Sequence, residues 1–364
     1  SVIINILALD DQLEVEWADG HQYVFSFFWL RDNAKDESSF DIRSNQRELF
    51  TAGLPFDIKP LGVRGRIVRL GGVLDDILNR HEYPMAASAV LAEAVALVAM
   101  FGDMLKFDGK FILQTSTDGP VSMLVADFVS PDRIRCYARV DVDALARLEA
   151  DGAASAQSII GNGHLAMTVD QGEDMERYQG IVGLNNATLS DAAHDYFRQS
   201  EQIPTLLRLA AGPLVGRAGH QDKWRAGAIM IQHLPEDGGI SPIQVYSGDD
   251  PAGNADPEVD EDDNWRKAKL LLQTVEDHEL IDPLLSSERV LYRLFHEDGV
   301  TVYPELQLKR YCSCSADRLK GILASMPADD KAHMAEDGSI DVKCEFCSAS
   351  YHFDADEILK PDEV

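Results

Sequence analysis

Four of the five cysteines in this 364-residue chain stand as two close pairs, Cys312-Ser313-Cys314 and Cys344-Glu345-Phe346-Cys347. Two thiolates at such spacing bind one ion from one side, and a second pair completes the tetrahedral shell that Zn²⁺ takes. Thiolate is the ligand form, so a metal would hold all four deprotonated, hence nucleophilic unless shielded. Four thiolates on a divalent ion carry a local charge of about −2. Lys309, Arg310, Arg318, Lys320 and Lys343 lie close by in sequence to offset it. Two chemistries are open for these residues. One is a structural zinc knuckle that only folds the tail. The other is a redox switch, in which each close pair closes its own small disulfide ring and the metal is expelled.

Elements are needed to position these thiols, and composition bounds them. Length allows two or three domains with ample core, and 45% hydrophobic with 26% charged residues is the composition of a soluble globular protein. The formal charge of −29 argues against nucleic acid or an anionic membrane as partner, because no surplus cation remains to neutralise phosphates. Cysteines at metal spacing suit a reducing, cytoplasmic setting better than a disulfide scaffold. No basic segment followed by an apolar run opens the sequence, so no signal peptide is expected. The most apolar stretch, residues 83–107, is interrupted by Glu93 and Asp103 and is expected not to span a bilayer.

The fold class expected is α+β: an antiparallel-sheet core with helices, a helical linker, a small C-terminal zinc-binding domain and a small β-rich N-terminal module. Residues 1–53 read as that module, with alternation over Leu13-Glu14-Val15-Glu16-Trp17, a turn at Asp19-Gly20 and a strand resuming from His21. Residues 54–238 read as the core. Its expected strands lie at 63–71, 111–114, 121–128, 133–140, 165–170 and 226–234. Its helices are expected at 73–83, 85–105 and 192–199, the second Ala-rich and apolar on most faces. Residues 239–308 read as a linker. It opens after Pro235-Glu236-Asp237-Gly238-Gly239 with an acid-rich stretch, 247–263, of disorder-prone composition. One helix follows over 265–280, with Leu270, Leu271, Val275 and Leu280 near one face, and another over 289–295. Such short amphipathic helices need a surface to dock on. Residues 309–364 form the cysteine domain.

Other chemistry in the chain is weak. Gly161-Asn162-Gly163 lacks the continuation of a phosphate loop and reads as a hairpin turn, with His164 structural. Cys136, mid-strand between Ile134 and Ala138, reads as buried and inert. Ser200-Glu201-Gln202 has no paired base. His296-Glu297-Asp298 fits part of a non-haem iron signature by letter, but it ends a helical stretch in the linker. No catalytic constellation stands out, so the chain reads as a non-enzyme.

Two stretches resemble known families. Trp29-Leu30-Arg31-Asp32-Asn33, with Gln46-Arg47, resembles the N-terminal domain of the γ-butyrobetaine hydroxylase-like family. That family's fuller forms carry cysteines after this motif, where this chain has Ala34-Lys35-Asp36-Glu37-Ser38. The resemblance implies an accessory β module rather than a dioxygenase. From about Phe56 onward the chain resembles the 33 kDa chaperonin family of redox-regulated bacterial heat-shock holdases. The matching residues run in order: Arg64-Gly65-Arg66 with Val68-Arg69-Leu70-Gly71, Lys106-Phe107-Asp108-Gly109, and Gln114-Thr115-Ser116-Thr117-Asp118-Gly119-Pro120. They continue through Gly161-Asn162-Gly163, Tyr178-Gln179-Gly180, and Tyr196-Phe197 with Ser200-Glu201-Gln202, to the four cysteines.

The resemblance implies one Zn²⁺ per chain on Cys312, Cys314, Cys344 and Cys347 in an inactive reduced form. It implies disulfides Cys312–Cys314 and Cys344–Cys347 with zinc release on oxidation, and a homodimer that then binds unfolding client proteins without ATP. The competing expectation is a zinc-ribbon adaptor whose cysteines are purely structural. The acidic stretch at 247–263 and the N-terminal module depart from the family pattern.

Overall fold

A computed structural model of the protein describes residues 3–8, 12–17, 22–26, 40–41, 46–47, 53–105, 108–172, 177–201, 203–214, 223–234, 262–335 and 338–359. Several sequence expectations lie outside the described residues. These are the motif at 29–33 with the segment 34–38, Lys106-Phe107, Gln202, the opening at 235–239, and the acidic stretch as far as Glu261.

Near the N-terminus, β1 (Ile3–Ala8), β2 (Gln12–Trp17) and β3 (Gln22–Ser26) form a three-stranded antiparallel sheet in the order β1-β2-β3. The two-residue strands β4 (Phe40–Asp41) and β5 (Gln46–Arg47) pair with each other. Beyond them the fold is α+β with antiparallel sheets. By contacts the chain divides into two compact units, each assembled from two separate stretches: Ser1–Gly71 with Ser190–Gln307, and Gly72–Leu189 with Leu308–Val364.

The first unit is built on β6 (Leu54–Ile58) and β7 (Val63–Leu70), whose inward positions alternate as the strand period requires. After α5 (Leu189–Tyr196) and a short π-helical turn, the long strands β13 (Thr205–Leu214) and β14 (Lys223–His233) complete the sheet with β15 (Thr301–Val302), in the order β13-β14-β7-β6-β15. The linker supplies α6 (Asp263–Gln273), α7 (Asp277–Ile281) and α8 (Ser287–Phe295).

The sequence led us to expect one helix over 265–280. The chain instead breaks after Thr274, and a new capping box at Glu276 and Glu279 starts α7. That break turns Val275 and Leu280 inward, whereas Leu270, expected on the apolar face, is 59% exposed. Nor does acidic coil extend through Asp263: the Asp262 side chain accepts from the Asn264 amide, and Asp263 is already helical. His296, which caps the C-terminus of α8, and Asp298, which pairs with Lys267 at 2.6 Å, are structural.

These helices do not merely rest on the sheet; they share its core. Trp265, Leu272, Val275, Leu280, Leu291 and Phe295 pack in one buried cluster with Phe56, Ile58, Ile67, Ile229 and Ile231 of the strands. Full burial contributes roughly 1.5–3 kcal/mol per large aliphatic or aromatic side chain. That is what orders helices too short to hold alone. α7 has a particular seat. Arg69 on β7 and Gly227 on β14 are cross-strand partners. The Arg69 guanidinium, wholly buried, donates to the carbonyls of Leu280 at 2.9 Å, Asp282 and Leu285. The Leu280 carbonyl ends α7 and the other two lie in the loop that follows, where Asp282 also accepts from the Leu285 amide at 3.3 Å, so one arginine ties the helix end and its loop to the sheet. Burial lowers Arg69 to about 10, partly offset by the Asp282 carboxylate. Beside it, a Cβ on Gly227 would lie 2.4 Å from the Leu280 carbonyl oxygen, so only glycine admits so close a backbone.

The second unit has α1 (Gly72–Leu78), shorter than the stretch 73–83 read from sequence, and α2 (Met85–Gly102). Among the described residues, α2 is the one helix that by length and composition alone could cross a membrane, and its burial is that of a core helix, as read from the sequence. Nearly four-fifths of it (78%) is buried inside the fold. It lies on a sheet of β8 (Lys110–Thr117), β9 (Val121–Val129), β10 (Arg133–Val140), β11 (Gly163–Asp170) and β12 (Tyr178–Leu184).

Between β10 and β11 run α3 (Val142–Ala150) and α4 (Ala156–Ile160). Gly161 therefore ends a helix at φ +76° rather than forming the expected hairpin turn, and it packs against the Asp118-Gly119 turn. Cys136 faces the core, 1% exposed, and burial pushes its thiol well up. The sheet order is β12-β11-β8-β9-β10-β16, the last being β16 (Lys309–Arg310), parallel to β10.

Gly227→Ala is expected to push α7 off its seat and cost about 1–3 kcal/mol, the range for overpacking. Arg69→Met is expected to cost a similar amount by removing its donors to the Leu280, Asp282 and Leu285 carbonyls. Limited proteolysis should then cut faster within residues 262–307 while β8 to β11 stay protected. Unchanged cutting in both variants would show that α7 is held some other way.

Candidate metal centre

β16 delivers the first cysteine pair. Lys309 donates its backbone amide to Asp132 and the Tyr311 amide donates to Ile134, at 2.8 and 3.1 Å, so the chain enters Cys312 as a continuation of the sheet edge. Immediately after Cys314, Ser315 caps α9 (Ala316–Ala324), its hydroxyl accepting from the Arg318 amide at 3.2 Å. α10 (Ala328–Met334) follows, then the hairpin of β17 (Ser339–Lys343) and β18 (Ser350–Asp354), and α11 (Ala355–Leu359). Leu323, Ile340, Phe353, Ala355 and Ile358 make a small core of their own.

The second cysteine pair occupies the turn of that hairpin. The Cys344 amide donates to the Ala349 carbonyl and the Ser348 amide to the Cys344 carbonyl, both at 2.8 Å. Ser348 takes φ +56°, in the left-handed region, to close the turn.

The four sulfurs meet. Sγ of Cys312 lies 3.2 Å from Cys314 and 3.6 Å from Cys344, and Cys314 lies 3.4 Å from Cys347. All four lie within 4.8 Å of one another. A disulfide would need about 2.05 Å, so all four are free. A regular tetrahedron of 2.3 Å zinc–sulfur bonds has edges of about 3.8 Å, so the donor set and its spacing fit one tetrahedral ion. Cys136 stands apart, as its sequence position indicated.

Electrostatics within the cluster is uneven. Desolvation pulls Cys312, Cys314 and Cys347 up. For Cys314 this is outweighed by hydrogen bonds from the Tyr351 hydroxyl, at 3.1 Å, and from the other cysteines, which lower it to about 7. Cys347 is pushed up to about 12, first by burial and then by its sulfur neighbours. Cys312 is raised for the same reasons. Cys314 is therefore the sulfur that loses its proton more readily than Cys312 and Cys347.

The surroundings of the thiols were the part not read from sequence. Lys309, expected to offset the cluster's charge, is paired with Asp132 at 2.6 Å. The cation brought to the cysteine loops comes from β10. Arg135 lies 3.4 Å from the Ser313 hydroxyl, 178 positions away in sequence, and is bound to Asp127 at 2.7 Å. Burial pulls Arg135 down, but its bonds to Asp127, with Tyr311 and Cys312 nearby, hold it above the ordinary arginine value.

His81 joins the second loop. Its Nε2 donates to the Phe346 carbonyl at 3.4 Å, leaving Nδ1 to accept from Ser348 at 3.1 Å. Burial, with Lys343 and Arg80 close, lowers its pKa despite the Phe346 carbonyl. Tyr137 adds a bond to Glu345 at 3.1 Å. The sequence signal for this seat was the alternation of Arg133, Arg135, Tyr137 and Arg139 along one face of a strand whose other face is core.

The family profile described as Hsp33 protein matches residues 54–354. The profile described as γ-butyrobetaine hydroxylase-like, N-terminal, matches residues 4–68, overlapping the first at β6 and β7. The chain is similar to the 33 kDa chaperonin of Caulobacter vibrioides, with 41% identity over 82% of this chain and 93% of that relative. It is also similar to the 33 kDa chaperonin of Salmonella typhi, with 33% identity over 82% and 90%. A crystal structure of the 33 kDa chaperonin from Thermotoga maritima shares the fold, with a TM-score of 0.66 and 22% identity over 85% of this chain and 98% of that one. On its matched length and on its identity to these relatives, the chain belongs to the Hsp33 family.

Proposed function

We propose that this chain is a redox-switched, ATP-independent holdase, a chaperone that binds unfolding proteins after its four thiols are oxidised. The observation that carries the reading is the gathering of four free thiols in a small domain whose core is only a handful of side chains. In the reduced state Cys312, Cys314, Cys344 and Cys347 would hold one Zn²⁺, as their donor set fits. Bound there, the ion supplies folding free energy to the small domain and keeps the thiolates from attacking other groups.

Oxidation proceeds on the chain's own sulfurs. Each thiolate pair gives up two electrons to one peroxide, which takes two protons from solvent, forming one S–S bond and two waters; two peroxides thus oxidise the centre, and the ion, left without its thiolates, departs. The sulfur distances alone permit cross-pairing, since Cys314 is nearly as close to Cys347 as to Cys312. The close sequence spacing and the family resemblance favour Cys312–Cys314 and Cys344–Cys347. Such pairing leaves the two loops unlinked, so the domain can open; cross-pairing would staple it shut.

An unfolded cysteine domain no longer anchors the chain that leads from α8 through β15. The linker helices then have less to hold them on their sheet. Their departure uncovers Phe56, Ile58, Ile67, Ile229 and Ile231 together with their own Trp265, Leu272, Leu291 and Phe295. A contiguous apolar surface of that kind binds unfolded chains and favours self-association, here a homodimer. A reducing cytoplasm would keep the switch off until oxidant arrives. The reading follows the division into module 1–53, core 54–238, linker 239–308 and cysteine domain 309–364, and assigns no catalysis.

Peroxide at raised temperature is expected to switch on suppression of client aggregation in step with loss of about one zinc per chain. Peptide mass spectrometry should then find the two short-range disulfides. Zinc loss with no gain in suppression would favour the zinc-ribbon adaptor with structural cysteines. A further expectation concerns the metal-free dithiol protein. Alkylation should reach Cys314 first, rising through about pH 7, and Cys347 last. Tyr351→Phe should shift the Cys314 profile to higher pH by removing a donor to its thiolate. Equal rates at all four positions would contradict the charge distribution described above.

A further inference from the structure

Both cysteine loops are tied to the neighbouring strands β9 and β10, and one side chain, Arg135, lies against both of them. In the first loop, Tyr311 precedes Cys312 and donates its hydroxyl to Asp127 at 2.7 Å. In the second, the Phe346 ring, between Cys344 and Cys347, lies against the Arg135 guanidinium, 3.9 Å from its carbon to the ring centroid. The same guanidinium stands 5.1 Å from the Tyr311 ring centroid. One planar cation therefore touches an aromatic ring beside each cysteine pair, and it also reaches the Ser313 hydroxyl between Cys312 and Cys314.

Arg135 is itself fixed from behind. Its Nε and Nη2 donate to the Asp127 carboxylate at 2.7 to 3.0 Å, a forked geometry that a lysine cannot reproduce. Asp127 is the direct cross-strand partner of Arg135 and is only 4% exposed. Both face away from α2, since the alternating neighbours Ala126, Phe128, Ile134 and Cys136 fill the core.

A buried ion pair is a poor choice if sheet stability were the only need, because a well-packed aliphatic pair serves as well or better. Its placement makes sense for what lies over it. The four-cysteine centre carries about two negative charges when loaded with a divalent ion, and Arg135 sets a positive charge against the loops that bear them.

We propose that Arg135 is a positioning residue of the metal centre: held by Asp127, it seats the two cysteine loops on one strand and sets how fast the centre gives up its ion. The proposal rests on the metal reading of the four cysteines. Because each loop is tethered separately, departure of the ion does not by itself part them, and rebinding competes with escape.

The test uses the full-length, reduced, zinc-loaded protein, with transfer of zinc to a chromogenic chelator followed in time. Asp127→Asn combined with Arg135→Gln removes the ion pair without stranding a buried carboxylate, and Phe346→Leu removes the stacked ring without touching the sheet. Both are expected to release zinc on the order of tenfold faster, the lower end for partners that orient metal ligands. Amide exchange should quicken over residues 308–314 and 344–349 and stay unchanged over β8 and β11. Arg135→Lys should recover only part of the retention, since it keeps the charge and loses the fork. Wild-type release rates in both variants, with unchanged circular dichroism and thermal unfolding, would overturn the proposal. If the double variant does not fold, Phe346→Leu decides alone. A wild-type chain that takes up no zinc would overturn the metal reading itself, before any variant is compared.

Discussion

Four sulfurs held within 4.8 Å of one another cannot all be charged unless a cation lies among them. Two like charges 4 Å apart repel by about 4 kcal/mol at the effective dielectric near a protein surface. Hydrogen bonds from Tyr351 and the neighbouring thiols lower Cys314 to about 7, while burial holds Cys347 up near 12, so charge enters the cluster at Cys314 before Cys347. On the reading proposed above it would be cohesive when loaded with a metal and less so as thiols or disulfides. Because the domain around it has a core of few side chains, its folding would then depend on which of these states the sulfurs occupy.

The linker helices extend the same logic. They are short, and α7 spans only Asp277–Ile281, well below the length at which a helix persists alone in water. Their order comes from a core shared with the five-stranded sheet and from the Arg69 and Gly227 seat. A segment stabilised almost entirely by docking is ordered or released as a whole, and the surface it leaves is the sheet's own hydrophobic interior. That is the physical basis of the holdase proposed above.

Much of this was legible in the residues. Cysteine spacing identified the metal-capable site, and the strand patterns located β7 to β11 and β14, because both signals are local; β6, β12, β13 and the two-residue strands β15 and β16 were not read. The misread places are those where a distant partner decides. Residues 265–280 have helical periodicity throughout. Yet Val275 and Leu280 reach the core only if the helix breaks and restarts, and the capping box at Glu276 permits it. Gly161-Asn162-Gly163 looks like a hairpin because its glycines are real turn residues. The Asp118-Gly119 turn against which they pack is forty positions away. Cations near the cysteines in sequence were the natural partners to expect, whereas the fold brings in Arg135 from β10.

The sequence by itself determined the donor set, the α+β class and the dependence of the linker on a surface, since residue type and short-range spacing carry that information. Only the tertiary structure decided which surface the linker occupies, which sulfur bears the charge and which cation stands over the cysteine loops. Each of those depends on burial and on pairing between residues far apart in the chain. Desolvation and Coulomb energy are set by three-dimensional neighbours, which local patterns do not record.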